Sequence, residues 1–421
     1  MAPVHQALLI VIVAVSILLM LVRPKNIPEV YWVGAGALLL IALRLIPLSL
    51  AGKAIGGGLD VYLFLAGMML LSELAREHGV FEWLSSAAMQ HAEGSGSRLF
   101  FLVYLAGTLV TACMSNDATA VVLTPAVLSV VRRSKANPLP HLFACAMVAN
   151  AASFVLPISN PANLVVFHSG IPPLGRWLLF FAIPSLFSIV MTFLVLRWYF
   201  RKPLSMAIED GFEDHPLSRN GRFVVVGLAL VVGALVTASA LHRDLGLPTC
   251  IAAIAIVAVV SLKAKSNPFA LARHVSWPTL GLVAALFVLV SAAEAVGALQ
   301  YVSRGLSWIE RMPADRGAIA LAFAVGFANN LLNNLPVGLI AGAVLAKAHV
   351  KELLINSVLL GVDLGPNLSV TGSLATILWL LALRRERIHI KYLDFLKIGI
   401  LAMPVALLGA MFGLLLVARF W

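Results

Sequence analysis

Residues 115–125 read SNDATAVVLTP, and residues 363–376 read DLGPNLSVTGSLAT. Each sets Asn, Asp, Ser or Thr beside Pro or Gly inside an apolar run. Two more stretches have the same make-up: NAASFVLPISNPAN at 150–163 and NNLLNNLPVG at 329–338. Proline removes a helix hydrogen bond and glycine loosens the backbone, so all four read as broken helices or re-entrant hairpins. Unwound backbone at membrane depth survives only where protein or a cavity covers it. There it offers free carbonyls and half-helix ends to a ligand. Read singly, any of these polar residues could cap a kink or glue helices together; four clusters, paired one with three and two with four, favour a site.

The surrounding composition sets these stretches in a membrane. Of 421 residues, 61% are hydrophobic and 12% charged, with a mean hydropathy of +0.98; soluble chains are nearer half apolar and a quarter charged. A spanning helix needs ~20 apolar residues, so ten or more segments fit and little chain remains for a soluble domain. The runs are continuous, as in ALLIVIVAVSILLMLV at 7–22, which excludes the alternating pattern of a membrane barrel. Thirty Lys and Arg against 19 Asp and Glu give a net charge of +11. The basic residues flank apolar runs, where the positive-inside bias accounts for them and nucleic acid is not implied. Cys113, Cys145 and Cys250 form no CxxC and lie in apolar segments, which argues against disulfides and a thiolate metal site. There is no Walker A loop and no cofactor motif. The opening MAPVHQ carries no Lys or Arg, so the run after it reads as a first span and not a signal peptide.

Orientation and repetition follow from the same residues. Arg201, Lys202, Arg219 and Arg222 mark 201–222 as the central loop; Lys263, Lys265 and Arg273 follow two spans later. Both belong on the cytoplasmic side, with Arg23 and Lys25, which puts MAPVHQ outside. Arg23 and Pro28 recur as Arg243 and Pro248, Gly79 and Ser85 as Gly297 and Ser303, Arg98 as Arg316, and Asn116-Asp117 as Asn333-Asn334. Near-constant offsets between halves of opposite orientation predict an inverted repeat, a transporter architecture with its site near the bilayer midplane. The expected division is 1–200 as the first repeat, 201–222 as a cytoplasmic linker and 223–421 as the second repeat. The fold class is an all-α polytopic membrane protein of about 10–12 spans, with two re-entrant hairpins and two broken helices.

Two acids stand inside the clusters, Asp117 and Asp363. Burial disfavours the charged carboxylate, making both candidates to carry a proton; the alternative is satisfaction by local backbone N–H groups. Glu73 and Glu294 lie near span ends and read as snorkelling. His168 reads as an interfacial histidine that could sense pH, and Cys113 as a packing cysteine that could touch a thiophilic ligand. No Lys or Arg falls in or beside the clusters. Bidentate Arg recognition of a carboxylate or phosphate is therefore absent, and an anion would have to rely on helix N-termini. A neutral, hydroxyl-rich substrate suits Asn, Ser and Thr better, since these both donate and accept.

The run GVDLGPNLSVTGSLATILWL at 361–380, with SNDATAVVLTP in the first half, resembles the bacterial arsenite/antimonite efflux permeases of the ion transporter superfamily. The resemblance extends through essentially the whole chain. It implies an inner-membrane secondary transporter that exchanges trivalent arsenic or antimony hydroxides for protons, by an elevator-type motion. It also implies a homodimer and, in some members, a soluble ATPase partner. The motifs place substrate contacts on Asn116, Thr119, Thr371, Gly372 and Ser373, beside Gly365 and the two acids, and hairpin-tip positions on Ser159, Asn160 and Asn163. Asn333 and Asn334 come from the third cluster. Two departures bear on the cargo: Val337 stands where members often carry Thr, and ISNPAN contains Pro161, as in other branches of the superfamily.

The sequence thus predicts proton-coupled efflux of As(OH)3 or its antimony analogue, without enzymatic chemistry, cofactor or resident metal, in a bacterial inner membrane. Its rivals are a sodium-coupled carboxylate carrier, a sodium/proton antiporter of the same fold, and a channel subunit of an ATP-driven arsenite pump.

Overall fold

The computed structural model describes residues 3–167, 170–209, 216–265, 267–348 and 350–420. His168 and the middle of the central loop lie outside the described residues. The first half contains α1 (Pro3–Val22), α2 (Glu29–Ala42), α3 (Leu48–Gly57), α4 (Leu59–Glu77), α5 (Val80–Gln90), α6 (Gly96–Cys113), α7 (Thr124–Arg133), α8 (Pro138–Ala151), α9 (Pro161–Val166) and α10 (Leu174–Tyr199). A short α11 (Arg201–Leu204) opens the linker. The second half contains α12 (Arg219–Ala240), α13 (Gly246–Ala264), α14 (Pro268–His274), α15 (Trp277–Ala295), α16 (Gln300–Ile309), α17 (Ala314–Leu332), α18 (Asn334–Leu345), α19 (Glu352–Leu364), α20 (Leu374–Arg385) and α21 (Tyr392–Ala418). Among the described residues seven helices are each long and apolar enough to cross a membrane alone, and α3–α4 make one further pass bent by 48°.

The clusters that looked alike in sequence do two different things. The chain leaving α11 touches both ends of one segment. Ser97 Oγ donates to the Leu204 carbonyl, the Ile208 amide donates to Gly94, and the Glu209 amide donates to Ser134. Gly94 and Ser97 sit at the start of α6 and Ser134 ends α7, so α6 and α7 begin and end on the same face. They form a re-entrant hairpin whose tip is Met114–Asp117. By contrast, α8 starts on that linker face, directly after α7, while α10 ends there. The segment α8–α9 therefore crosses, broken at 152–160. This corrects the expectation for Ser159, Asn160 and Asn163: they occupy the break of a crossing helix and not a hairpin tip. In the second half α17–α18 fold back at Asn333, whose backbone takes φ 74°, ψ 153°. The Arg176–Glu352 pair ties the start of α19 to the start of α10 on the far face, and Arg132–Glu386 ties the end of α20 to the end of α7 on the linker face. So α19–α20 crosses, broken at 365–373.

Among the described residues each half therefore has five segments that run from one face to the other and one hairpin, in opposite senses. The repeat is visible in the backbone as well. Gly79 and Gly297 share a left-handed conformation (φ 72° and 78°), and α10 and α21 each contain a proline, Pro184 and Pro404.

Packing sorts the helices into two groups, and each group draws on both repeats. In one, α4 lies on α13, α2 and α3 on α15, α1 on α2 and α12 on α13. In the other, α10 lies along α21 and against α8, α17 and α21 flank α19, α18 meets α9, and α20 meets α7. The α10–α21 contact is close: a Cβ on Gly413 would stand 3.0 Å from the Pro184 backbone nitrogen, and one on Gly409 2.9 Å from Met191. The short helices α5 and α16 lead from the first group into the two hairpins.

Candidate functional site

Four helix starts meet at one cavity. Asn160 caps α9 by accepting from the Ala162 amide (3.0 Å), with Pro161 in the first turn, where its missing N–H costs nothing. Ser373 caps α20, accepting from the Thr376 amide (3.1 Å). Asn333 caps α18 through the Leu335 amide (3.3 Å). Ser115 accepts from the Ala118 amide (3.2 Å) where the returning arm of the first hairpin begins. Such side chains satisfy amides that the first helical turn leaves unpaired. The remaining N–H groups and the positive end of each helix dipole favour negative charge or oxygen lone pairs nearby.

The cavity, about 20 Å³, is lined by Asn116 and Asp117, Asn160 and Pro161, Asn334 and Leu335, and Ser373, Leu374 and Ala375. Leu65 of α4 and Thr279 of α15 close it from the other helix group. It holds about one water-sized sphere. Asp117 also lines a vestibule of about 130 Å³ beside it, together with Ser72, Glu73, Ser115, His274 and Ser276. Since α4 ends and α15 begins there, the vestibule leads to the linker face. Among the described residues no Lys or Arg lines either space.

The two acids differ sharply in setting. Asp117 is partly exposed and its side chain makes no cap hydrogen bond. Asp363 is fully buried at the end of α19 and lines neither space. Its Oδ1 accepts from Asn160 Nδ2 at 2.6 Å, Ser153 stands beside the carboxylate, and its Oδ2 makes no hydrogen bond within ordinary distance among the described residues. Asp363 thus stands behind Asn160, one layer from the cavity.

Of the other expected contacts, Asn116, Asn160, Asn334 and Ser373 reach the cavity, and Asn116 Oδ1 is buried without a partner among the described residues. The rest hold the breaks in shape. Thr119 bonds to Thr111 Oγ1 (2.8 Å) inside the first hairpin. Ser159 donates to the Ala112 carbonyl (3.0 Å), and Asn163 spends its amide on the carbonyls of Ser153, Leu156 and Pro157. Asn333 Nδ2 donates to Thr371 O, and Thr371 Oγ1 to Asn330 O. Gly372 lies hard against the other side of the break: a Cβ there would stand 2.5 Å from Pro366 Cα.

Sequence reasoning passed over four amides that lie within or beside the quoted clusters. Asn329 Nδ2 donates to the Gly361 and Val362 carbonyls, and Asn330 Nδ2 to Gly365, fastening the second hairpin to α19. Asn150 Nδ2 donates to Asn367 Oδ1 (2.9 Å) and Asn367 Nδ2 to the Met147 carbonyl, linking the two broken helices. Their place in the polar runs was the available signal. Leu65 and Thr279 carried none, being ordinary residues of apolar helices.

With this geometry in hand, comparison with known proteins assigns the chain. Residues 4–383 match the family model described as citrate transporter. The chain belongs to the citrate transporter (CitMHS) family. Like its members, it is a multi-pass membrane transporter. A similar relative is the arsenical pump membrane protein of Yersinia enterocolitica, 28% identical over 365 residues, spanning 80% of this chain and 82% of the relative. The putative arsenical pump membrane protein of Bacillus subtilis is 24% identical over 419 residues, spanning 92% and 94%. Among solved structures the Alcanivorax borkumensis YdaH transporter superposes with a TM-score of 0.60 at 15% identity, covering 88% of each chain; this likeness concerns the fold.

Proposed function

We propose that this CitMHS-family protein exports trivalent arsenic or antimony hydroxide from the bacterial cytoplasm in exchange for protons, with the linker face cytoplasmic. The observation that carries the reading is the cavity together with the vestibule that adjoins it: half-helix N-termini and one carboxylate, Asp117, shared by the two spaces and making no cap hydrogen bond, with no Lys or Arg lining either among the described residues. The names of the relatives point to the same cargo.

As(OH)3 presents three O–H donors and the lone pairs of three oxygens. Ionised Asp117 accepts from a hydroxyl, while Asn116, Asn160, Asn334 and Ser373 donate to the oxygens alongside helix-start N–H groups. Protonated Asp117 loses most of that acceptor capacity, so proton and cargo compete for one carboxylate. That competition is the coupling. Cargo binds deprotonated Asp117 at the linker face and leaves at the far face when a proton takes its place; the protonated site returns. Loaded and empty deprotonated sites carry the same charge, but the cargo's O–H groups satisfy the carboxylate; moving the empty site leaves it bare and is disfavoured by up to about 2.5–3.5 kcal/mol, the penalty for a carboxylate at the bilayer centre, which suppresses the futile return. Leu65 and Thr279 close the cavity from the helix group that lacks the breaks, so sliding one group past the other, as in an elevator, would carry the site between faces. Asp363 then serves to hold Asn160 in place.

The test is arsenite uptake into everted vesicles energised by a pH gradient, without ATP or sodium. Accumulation that a protonophore abolishes is expected; transport that requires ATP and a soluble partner would overturn the reading. A second reading rests on the family match and on the positive helix ends: sodium-driven uptake of a carboxylate such as citrate. The same vesicles, given a sodium gradient and labelled citrate, decide between the two.

A further inference from the structure

An apolar groove lies beneath the second hairpin. A groove of about 320 Å³ runs between α16, α17, α18 and α19, bounded by Leu306, Ile309, Ala328, Val337, Ala341 and Val358 among others, every one of its lining residues apolar or glycine. In the first repeat the equivalent arm leaves no such separation: α5 packs against both α6 and α7, whereas α16 packs chiefly against α17.

Exposed aromatic and basic side chains lie on α16 and the turn after it, beside the groove. Tyr301 and Trp308 of α16 are 76% and 63% exposed, the placing expected of interfacial aromatics. Arg304 lies over the Tyr301 ring at 5.7 Å. Arg304, Arg311 and Arg316 are exposed and make no ion pair among the described residues, with Glu310 and Asp315 as the acids nearby in sequence. An acyl chain in the groove would bury apolar surface while its phosphate met these arginines.

We propose that the groove between α16 and the second hairpin holds one acyl chain of an anionic phospholipid. Val337 faces the groove while Asn334 and Leu335, in the preceding turn of α18, face the cargo cavity. The lipid thus sets the position of the hairpin tip and tunes transport. The binding claim is independent of which cargo is carried.

The test uses the full-length protein purified in mild detergent with phosphatidylglycerol and phosphatidylcholine, read by native mass spectrometry. One tightly held phosphatidylglycerol per protomer is expected. The double variant Ala328→Phe, Ala341→Phe fills the groove and should lose it. Arg304→Gln and Arg311→Gln should each weaken the preference for phosphatidylglycerol over phosphatidylcholine, since each removes one charge-assisted contact to the headgroup. Equal lipid retention by the filled variant, or a lipid-free dimer in which a second copy covers the groove, overturns the proposal. Should the filled variant fail to fold, a phosphatidylglycerol carrying a photoreactive acyl chain is cross-linked to the unmodified protein. Labelling of α16, α17 or α18 is expected, and labelling confined to other helices overturns the proposal.

Discussion

The two repeats place their acids on opposite elements. At the hairpin tips the first repeat carries Asp117 where the second carries Asn334; in the broken helices the second carries Asp363 where the first carries Asn150, the first residue of each cluster. Each half thus has one carboxylate and one isosteric amide, exchanged between hairpin and broken helix. The settings differ with them: Asp117 lines the cavity and vestibule, while Asp363 is sealed behind Asn160. A carboxylate at the moving boundary is fit to exchange a proton, and one inside a packed helix break is fit to orient its neighbour.

The largest expected effect tests that division. Asp117→Asn should abolish pH-driven accumulation, since it removes the group for which proton and cargo compete, while Asp363→Asn, which preserves an acceptor for Asn160, should leave much of it. Comparable losses in both would remove the distinction. Adding Asn334→Asp to Asp117→Asn asks whether the pseudo-equivalent tip can host the carboxylate; partial recovery is expected, read in the same vesicles. Next in size, Asp363→Ala strands Asn160 Nδ2 and should lower stability by about 1–3 kcal/mol, the cost of a buried polar group left unpaired, seen as a lower unfolding temperature in detergent. A double-mutant cycle on Asn150 and Asn367, each to Ala, should give a coupling near 0.6 kcal/mol, the average for interhelical hydrogen bonds in membranes; zero coupling would mean the broken helices are held together by apolar packing alone. Smallest is the Arg132–Glu386 pair on the linker face. Both side chains are nearly half exposed, so Arg132→Gln should cost ~0.2–1 kcal/mol and less in high salt.

The contrast also marks what was legible in the amino-acid order. Polar clusters with Pro or Gly inside apolar runs announce broken helices because their physics is local. Hairpin and crossing helix were not told apart, since both need the same residues. What separates them is the contact of 204–209 with Gly94, Ser97 and Ser134, which joins residues far apart in the chain. The site was half legible for a related reason. Asn160 and Asn163 stand three apart in one motif, yet one faces the cavity and the other spends its amide on three carbonyls. Composition does not record which way an unwound segment turns its side chains.

The interleaving of the repeats has a consequence for how the protein is made. The first hairpin leaves the ribosome carrying Asn116 and Asp117, but Asn334 and Ser373, which share their cavity, and α20, which packs against α7, are synthesised much later. Until then a polar tip must wait without its partners, in the aqueous path of the insertion machinery or against a chaperone, because lipid penalises it. Insertion should accordingly be completed late, by α20 and α21 closing over elements already present. A chain truncated before α20 should be cleared by membrane proteases, whereas the two halves produced as separate polypeptides should each rescue the other.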